Sequence, residues 1–180
     1  DIEQAETLYA SIPEADRVEG LAREMYALLR LKQEDYQGFL DNFDRAYPDL
    51  PMVFELSATP LNWSSEYLRK AYVLEKFGQV EESRLIVEAL RRYIDRAKSE
   101  GVQRGYRFLE GSLMLMEGEP DGGYQLMAQG IAEHEVNLGY EWDPMLRGKL
   151  GPERLADLLA PLHEHVNAER EKLGWPAIEF

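Results

Sequence analysis

Apolar residues recur along most of the chain at intervals of three and four, which is the spacing of a helix with one buried face. The run 80–98 shows this spacing most clearly, with inward positions at Ser83, Ile86, Val87, Leu90, Tyr93 and Ile94. No stretch alternates apolar and polar residues in the way that a half-buried strand does. The sequence therefore predicts an all-α protein.

Glycine and proline residues divide the helical pattern into segments. Ser11 followed by Glu14 fits a capping box, so a helix is expected to open there. Gly78 and Gly118 mark two tight turns, and 138–149 is expected to be an irregular link. The predicted helices are 2–10, 11–31, 36–47, 64–77, 80–98, 102–117, 124–137 and 152–173, the last of them bent at Pro161.

A helix, a tight turn and a second helix recur along the chain, which is the layout of a helical-repeat protein. In the tetratricopeptide (TPR) template of about 34 residues, small residues recur where the two helices of a repeat approach each other. The unit that turns at Gly78 fits this template with Ala71, Leu74, Ser83 and Val87. The unit that turns at Gly118, 40 residues later, has Gly111, Met114, Gly123, Met127 and Gly130 at the matching places. Divergent repeats are therefore favoured, and an irregular helical bundle is the alternative.

The repeat interpretation predicts a single domain over 1–180, in which antiparallel helical hairpins stack as a short TPR-like superhelix. The tail after the last helix carries Trp175, Ile178 and Phe180 and is expected to dock on the domain. The predicted parts are a weak unit at 1–51, a connection at 48–63, better units at 64–100 and 102–137, and a capping helix at 152–173.

Composition narrows the classes of function. The chain has 180 residues, 34 acidic and 20 basic side chains, a formal net charge of −14 and no cysteine. The absence of cysteine excludes thiol catalysis and cysteine-containing metal sites. The acidity argues against direct contact with nucleic acid, and no apolar run is long enough to insert into a membrane.

Basic residues concentrate in the segment 61–110 and allow two interpretations. The favoured one is a solvated helix face, in which Arg84 and Arg92 pair with Glu88 and Arg91 pairs with Asp95. The other is an anion-attracting patch formed by Arg91, Arg92, Arg96, Lys98, Arg104 and Arg107.

No pattern in the sequence indicates a catalytic or metal site. His163 and His165 lie two residues apart, so on a helix they point about 200° apart and cannot share a metal ion. His134 between two glutamates has the same geometry. The glycine-rich segment 118–123 lacks the Lys-Ser/Thr of a phosphate-binding loop. We therefore expect no catalytic residue, no metal and no cofactor.

Three stretches carry a resemblance to a known family: 66–78 (EYLRKAYVLEKFG), 116–120 (MEGEP), and 142–146 (WDPML) leading to 155–162. On these stretches the last two thirds of the chain resembles the C-terminal TPR-like region of bacterial winged-helix (CadC-like) transcriptional regulators and of adenylate-cyclase-linked repeat proteins. The resemblance implies a non-catalytic sensory or scaffold part of a larger bacterial protein. It also implies the periplasmic side of the inner membrane, whereas without it a cytoplasmic location is expected.

The first helix of each TPR unit lines the concave face of such an array, so this face is the candidate binding site. The expected occupant is a protein or peptide, with a second copy of the chain as one option, and Arg69 and Lys76 at the edge favour an acidic segment. The alternative is a small-molecule pocket lined by Met114, Met116 and Met127. The residues expected on the concave face are Arg69, Tyr72, Glu75, Lys76, Phe108, Ser112 and Leu115.

Overall fold

The computed structural model describes residues 2–13, 20–46, 62–101, 106–133 and 143–179. Within these ranges the regular structure is entirely α-helical, as the apolar spacing predicted. In chain order the helices are α1 (Ile2–Ser11), α2 (Gly20–Lys32), α3 (Tyr36–Ala46), α4 (Asn62–Lys76), α5 (Val80–Ser99), α6 (Arg107–Met116), α7 (Pro120–Ala132), α8 (Pro144–Leu150) and α9 (Pro152–Lys172).

Consecutive helices pair into three hairpins, α2 with α3, α4 with α5, and α6 with α7. Neighbouring hairpins also touch, because α3 packs on α4, and both α4 and α5 pack on α6. The last two helices then close the array. Helix α8 lies against α4 and α6, while α9 lies against α7 and α8. This order places α8 on the same two helices that were expected to carry the binding face.

The three hairpins turn in the same way. The residue two places after the first helix has a positive φ in each, at Glu34 (58°), Gly78 (75°) and Gly118 (87°). The N–H group of the next residue donates to a carbonyl five positions back, at 2.9 Å in all three turns. This is the Schellman arrangement that ends many helices. The gap between the predicted helices 11–31 and 36–47 contains the first turn, but its equivalence to the others was not predicted, because Glu34 stands where the others have glycine.

Replacing Glu34 with glycine is expected to raise the free energy of unfolding by about 0.5–1 kcal/mol. A residue with a Cβ is strained at the positive φ of Glu34, and this strain exceeds the extra chain entropy that glycine has when unfolded. Glu34→Ala is the matched control, since it removes the carboxylate but keeps the Cβ. Urea unfolding followed by circular dichroism measures both variants, and equal stabilities would contradict the strained turn.

Small residues allow the two helices of the third hairpin to meet backbone to backbone. A Cβ built on Gly111 would lie 2.6 Å from the carbonyl oxygen of Gly123, and one built on Gly123 would lie 2.6 Å from the carbonyl oxygen of Gly111. In the second hairpin the equivalent residues, Ala71 and Ser83, are both buried. These are the positions at which the repeat register predicted close approach.

Several predicted boundaries are wrong. Ser11 does not open the second helix; it ends α1, and its hydroxyl donates to the carbonyl of Leu8 at 2.6 Å. Glu14 lies outside the described residues. Helix α7 begins at Pro120, four residues early, because proline is favoured in the first turn of a helix. Helix α6 begins at Arg107, since Tyr106 precedes it in a non-helical conformation.

The segment 138–149, expected to be irregular, contains the short helix α8 at its end. Most of the predicted connection 48–63 lies outside the described residues, and α4 begins at Asn62. Helix α9 continues past Pro161 to Lys172.

The C-terminal tail folds back along α9, held by polar contacts. The amide of Asn167 accepts the N–H of Ile178 at 2.8 Å and donates to the Ile178 carbonyl at 3.1 Å. The Arg170 guanidinium lies over the Trp175 ring, which stays largely exposed. Phe180 lies outside the described residues. The tail therefore lies along α9 through polar contacts, whereas the apolar docking expected for Trp175 does not occur.

Candidate functional site

The concave face expected to bind a partner is largely filled by the chain itself. Five of the seven residues placed there are buried, namely Arg69, Tyr72, Phe108, Ser112 and Leu115. They lie on α4 and α6, and α8 packs against both of these helices. The expectation of an open groove is therefore corrected for these five residues. For Arg69 and Tyr72 the cause is α8, which brings Asp143 and Gly148 against them. Phe108, Ser112 and Leu115 instead lie against Gly130, Met127 and Gly123 of α7, inside their own hairpin.

Helix α8 fits tightly against Tyr72. A Cβ built on Gly148 would lie only 2.2 Å from the Tyr72 hydroxyl oxygen, so the absence of a side chain at Gly148 makes room for the tyrosine. Met145 and Leu146 of the same helix are buried in the core. A partner could reach Tyr72 only by displacing α8 and exposing this apolar surface to water.

A buried ion-pair network ties α8 to α4. Arg69 donates from Nε to Asp143 Oδ2 at 2.7 Å and also pairs with Glu66. The exposed fractions are 6% for Arg69, 4% for Glu66 and 2% for Asp143. Burying charged groups costs free energy, because they lose their contacts with water. The ion pairs offset this cost only while Arg69, Glu66 and Asp143 are all present. The carboxylates that Arg69 was expected to take from a partner are supplied by the chain.

Asp143 also starts α8. Its Oδ1 accepts the backbone N–H groups of Met145 at 3.0 Å and Leu146 at 3.1 Å, which is the geometry of an N-cap. An aspartate followed by proline and an apolar pair is a helix-start signal that the sequence contains at 143–146. Seven residues are too few to show a 3.6-residue period, so the apolar spacing does not predict this helix.

Glu75 and Lys76 are the two predicted site residues that remain exposed. Both carboxylate oxygens of Glu75 accept from Lys149 Nζ, at 2.9 and 2.8 Å. The ammonium group of Lys76 lies 5.0 Å from the centre of the Tyr72 ring. The neighbouring Tyr72 hydroxyl is the main cause of a raised pKa for Lys76. Both side chains are thus engaged within the chain, and their contact with a partner stays a prediction.

The basic residues of the middle segment are largely neutralised by acidic residues of the chain, as the favoured interpretation predicted. Arg91 pairs with Glu110 at 3.1 Å and with Glu117, and Lys98 pairs with Glu110 at 2.6 Å. These pairs join α5 to α6, whereas the prediction placed them along one helix. Arg104 lies outside the described residues. Further pairs join Arg84 to Glu81 and Glu88, Arg92 to Glu88, and Arg107 to Glu133.

The methionines considered for a small-molecule pocket pack between helices. The side chain of Met127 is fully buried, and its Cγ lies 2.6 Å from the position that a Cβ on Gly111 would occupy. The Cε of Met114 lies 2.6 Å from the corresponding position on Gly122. Met116 packs against the core. These side chains fill the space next to α6, so they give no support to a ligand cavity there.

An exposed apolar surface lies at the turn of the second hairpin. Phe77 is 48% exposed and Val80 is 60% exposed. The Tyr36 ring, from the start of α3, meets the Phe77 ring edge to face, with 6.4 Å between ring centres. We call Tyr36, Phe77 and Val80 the middle-turn surface. These three residues are not among those expected on the concave face.

The histidines of the described residues do not belong to a cluster suited to a metal ion. His163 is half-buried and His165 is exposed on α9, and His134 lies outside the described residues. No cluster of three or more His, Cys, Asp or Glu suited to a metal ion occurs in the part of the chain that the structure describes. Among the helices of that part, none is long and apolar enough to cross a membrane.

The geometry of these residues is the basis on which a function can be argued. Comparison with known proteins adds no candidate, since no family model, no curated protein and no solved structure matches the chain.

Proposed function

We propose that the chain is a non-catalytic, TPR-like module for protein interaction or signal sensing, within a larger bacterial regulatory protein. The observation that carries the proposal is the repetition of one hairpin turn at Glu34, Gly78 and Gly118, with helices in close contact at the predicted register. Stacked helical hairpins form extended surfaces that typically serve protein binding. The CadC-like resemblance favours the same class and a periplasmic location.

The concave face, called the inner face from here on, is filled, and this changes how such a module would bind a partner. In an open array the partner lies in the groove, but here Tyr72 is buried beside α8, and Phe108 is buried beside α7. Binding is therefore proposed to use the outer surfaces of the hairpins. The alternative of a small-molecule sensor has no comparable support, because the methionines that suggested it pack between helices.

Site-specific photo-crosslinking in the organism that makes the chain tests the proposal. A photoreactive amino acid is placed at Phe77, Leu85 or Leu173, three exposed apolar positions, and at Glu164 as an exposed polar control. We expect a crosslink to another protein from at least one apolar position and none from Glu164. Crosslinks only between copies of the chain would indicate a homo-oligomer. The absence of any crosslink from the three apolar positions would contradict an interaction module.

A further inference from the structure

The three equivalent hairpin turns differ in the polarity of one residue. The residue just before the positive-φ residue is Gln33 in the first turn, Phe77 in the second and Glu117 in the third. Polar side chains are the usual choice at an exposed turn, so the first and third turns show what the fold itself requires. Phe77 departs from that pattern, and Val80, three residues later, is also exposed.

The second turn is closed without help from these side chains. The N–H of Gly78 donates to the Glu75 carbonyl at 3.0 Å, and the N–H of Gln79 donates to the Leu74 carbonyl at 2.9 Å. About half of each apolar side chain at Phe77 and Val80 remains in water. Apolar groups that are exposed together at one site are a feature of interaction surfaces, whereas single exposed ones are ordinary.

The surface is held in a defined arrangement. Tyr36 contacts Phe77 from the neighbouring hairpin, and burial is the main cause of a raised pKa for the Tyr36 hydroxyl. The same tyrosine lies near Tyr72 and Lys76, whose ammonium group is engaged by the Tyr72 ring. Tyr36 and Phe77 are therefore in contact before a partner binds, which reduces the conformational entropy that is lost on binding.

Acidic residues and one lysine lie around this surface: Lys76 is held at the Tyr72 ring, and Glu81 is paired with Arg84. Glu34 lies two residues before Tyr36, and its negative charge contributes to the raised pKa of the Tyr36 hydroxyl. Glu81 and Glu82 occupy the first turn of α5, next to Val80 in the sequence. Glu34 and Glu82 are exposed, and neither forms an ion pair with another residue in the described ranges. An incoming segment with positive charge would be attracted by both carboxylates.

We infer that the middle-turn surface binds a protein segment that carries an apolar side chain flanked by lysine or arginine. The inference rests on the proposed function as an interaction module, and it differs from the acidic partner expected for the inner face. The apolar side chain packs against Phe77 and Val80 beside Tyr36, and the basic groups face Glu34 and Glu82. A surface this small gives a weak, rapidly exchanging contact unless other parts of the partner add to it.

A library of random dodecapeptides displayed on phage, selected on the intact 180-residue chain, tests the inference. Enriched peptides are then synthesised, and their affinities are measured for the parent chain and for Phe77→Ser/Val80→Ser. The matched control is Leu85→Ser, which removes another exposed apolar side chain from α5. Phe77, Val80 and Leu85 are all exposed, and circular dichroism verifies that each variant keeps its helix content.

We expect enriched peptides with an aromatic or aliphatic residue next to lysine or arginine. Their affinity should fall about tenfold or more in the double variant and should be unchanged in Leu85→Ser. Glu34→Gln/Glu82→Gln should weaken binding about threefold at low salt and reduce its salt dependence.

Peptides that bind the double variant as well as the parent would overturn this site but leave the interaction module standing. Acidic peptides would overturn the partner class. If no peptide is enriched, the inference fails, and the separate crosslinking experiment decides whether the proposed function fails with it.

Discussion

Replacement of Arg69 with methionine is expected to lower the free energy of unfolding by about 3–5 kcal/mol. Methionine retains the apolar part of the side chain but leaves Glu66 and Asp143 without the cation that lies between them. Both carboxylates are almost fully buried, so water cannot replace the interaction with the Arg69 guanidinium that each of them loses. Urea unfolding at neutral pH measures the change, and an unchanged denaturant slope shows that the two-state analysis applies.

Lys149→Met is the matched control for this prediction. It breaks a second ion pair between the same two helices, from Lys149 to Glu75, but that pair lies at the surface. An exposed pair contributes about 0–1 kcal/mol, so the control should remain close to the parent. If both variants lost the same free energy, the buried position of the Arg69 network would be contradicted.

Gly111→Ala is expected to lower the free energy of unfolding by about 1–3 kcal/mol. The new Cβ would lie 2.6 Å from the Gly123 carbonyl oxygen and 2.9 Å from the Met127 backbone nitrogen, and neither atom can move without shifting α7. The better helix propensity of alanine, about 1 kcal/mol, offsets only part of this cost. Thermal or urea unfolding measures the difference.

Gly122→Ala provides the contrast within the same hairpin. Its Cβ would meet only the terminal Cε of Met114, and a methionine side chain can rotate away. We therefore expect this variant to be as stable as the parent, or more stable by up to about 1 kcal/mol. If Gly111→Ala had the same free energy of unfolding as Gly122→Ala, the close contact of α6 and α7 at Gly111 would be contradicted.

Helix content and hairpin register could be predicted because both are local properties. The periodicity of 80–98 corresponds to α5, and Gly78 and Gly118 ended their helices as expected. The small residues Gly111 and Gly123 also lie where the repeat register placed them. Each of these features is determined by residues that are neighbours on one helix or in one turn.

The closure of the inner face could not be predicted in the same way. It depends on Arg69 meeting Asp143, which is 74 residues away in the chain. The sequence suggested that Arg69 was available to a partner, although Glu66 stood three residues before it, at a spacing that allows pairing on a helix. A helix as short as α8 gives no periodic signal, so only its N-cap could have revealed it.

The middle-turn surface was missed for a different reason. Phe77 and Val80 appeared as ordinary apolar residues at helix ends, and exposure cannot be read from residue type. The signal that could have found them is comparison of the three turns, with Gln33 and Glu117 at the place of Phe77. That comparison required recognising Glu34 as equivalent to the two glycines.

Hydrogen–deuterium exchange of the chain with and without a selected peptide shows whether partners bind at the outer surface while α8 stays in place. On binding, we expect slower exchange in 33–36 and 76–83 and no change in α6 or α8. Slower exchange in α4 and α6 together with faster exchange in α8 would show that the peptide displaces α8, and would contradict binding at the outer surface.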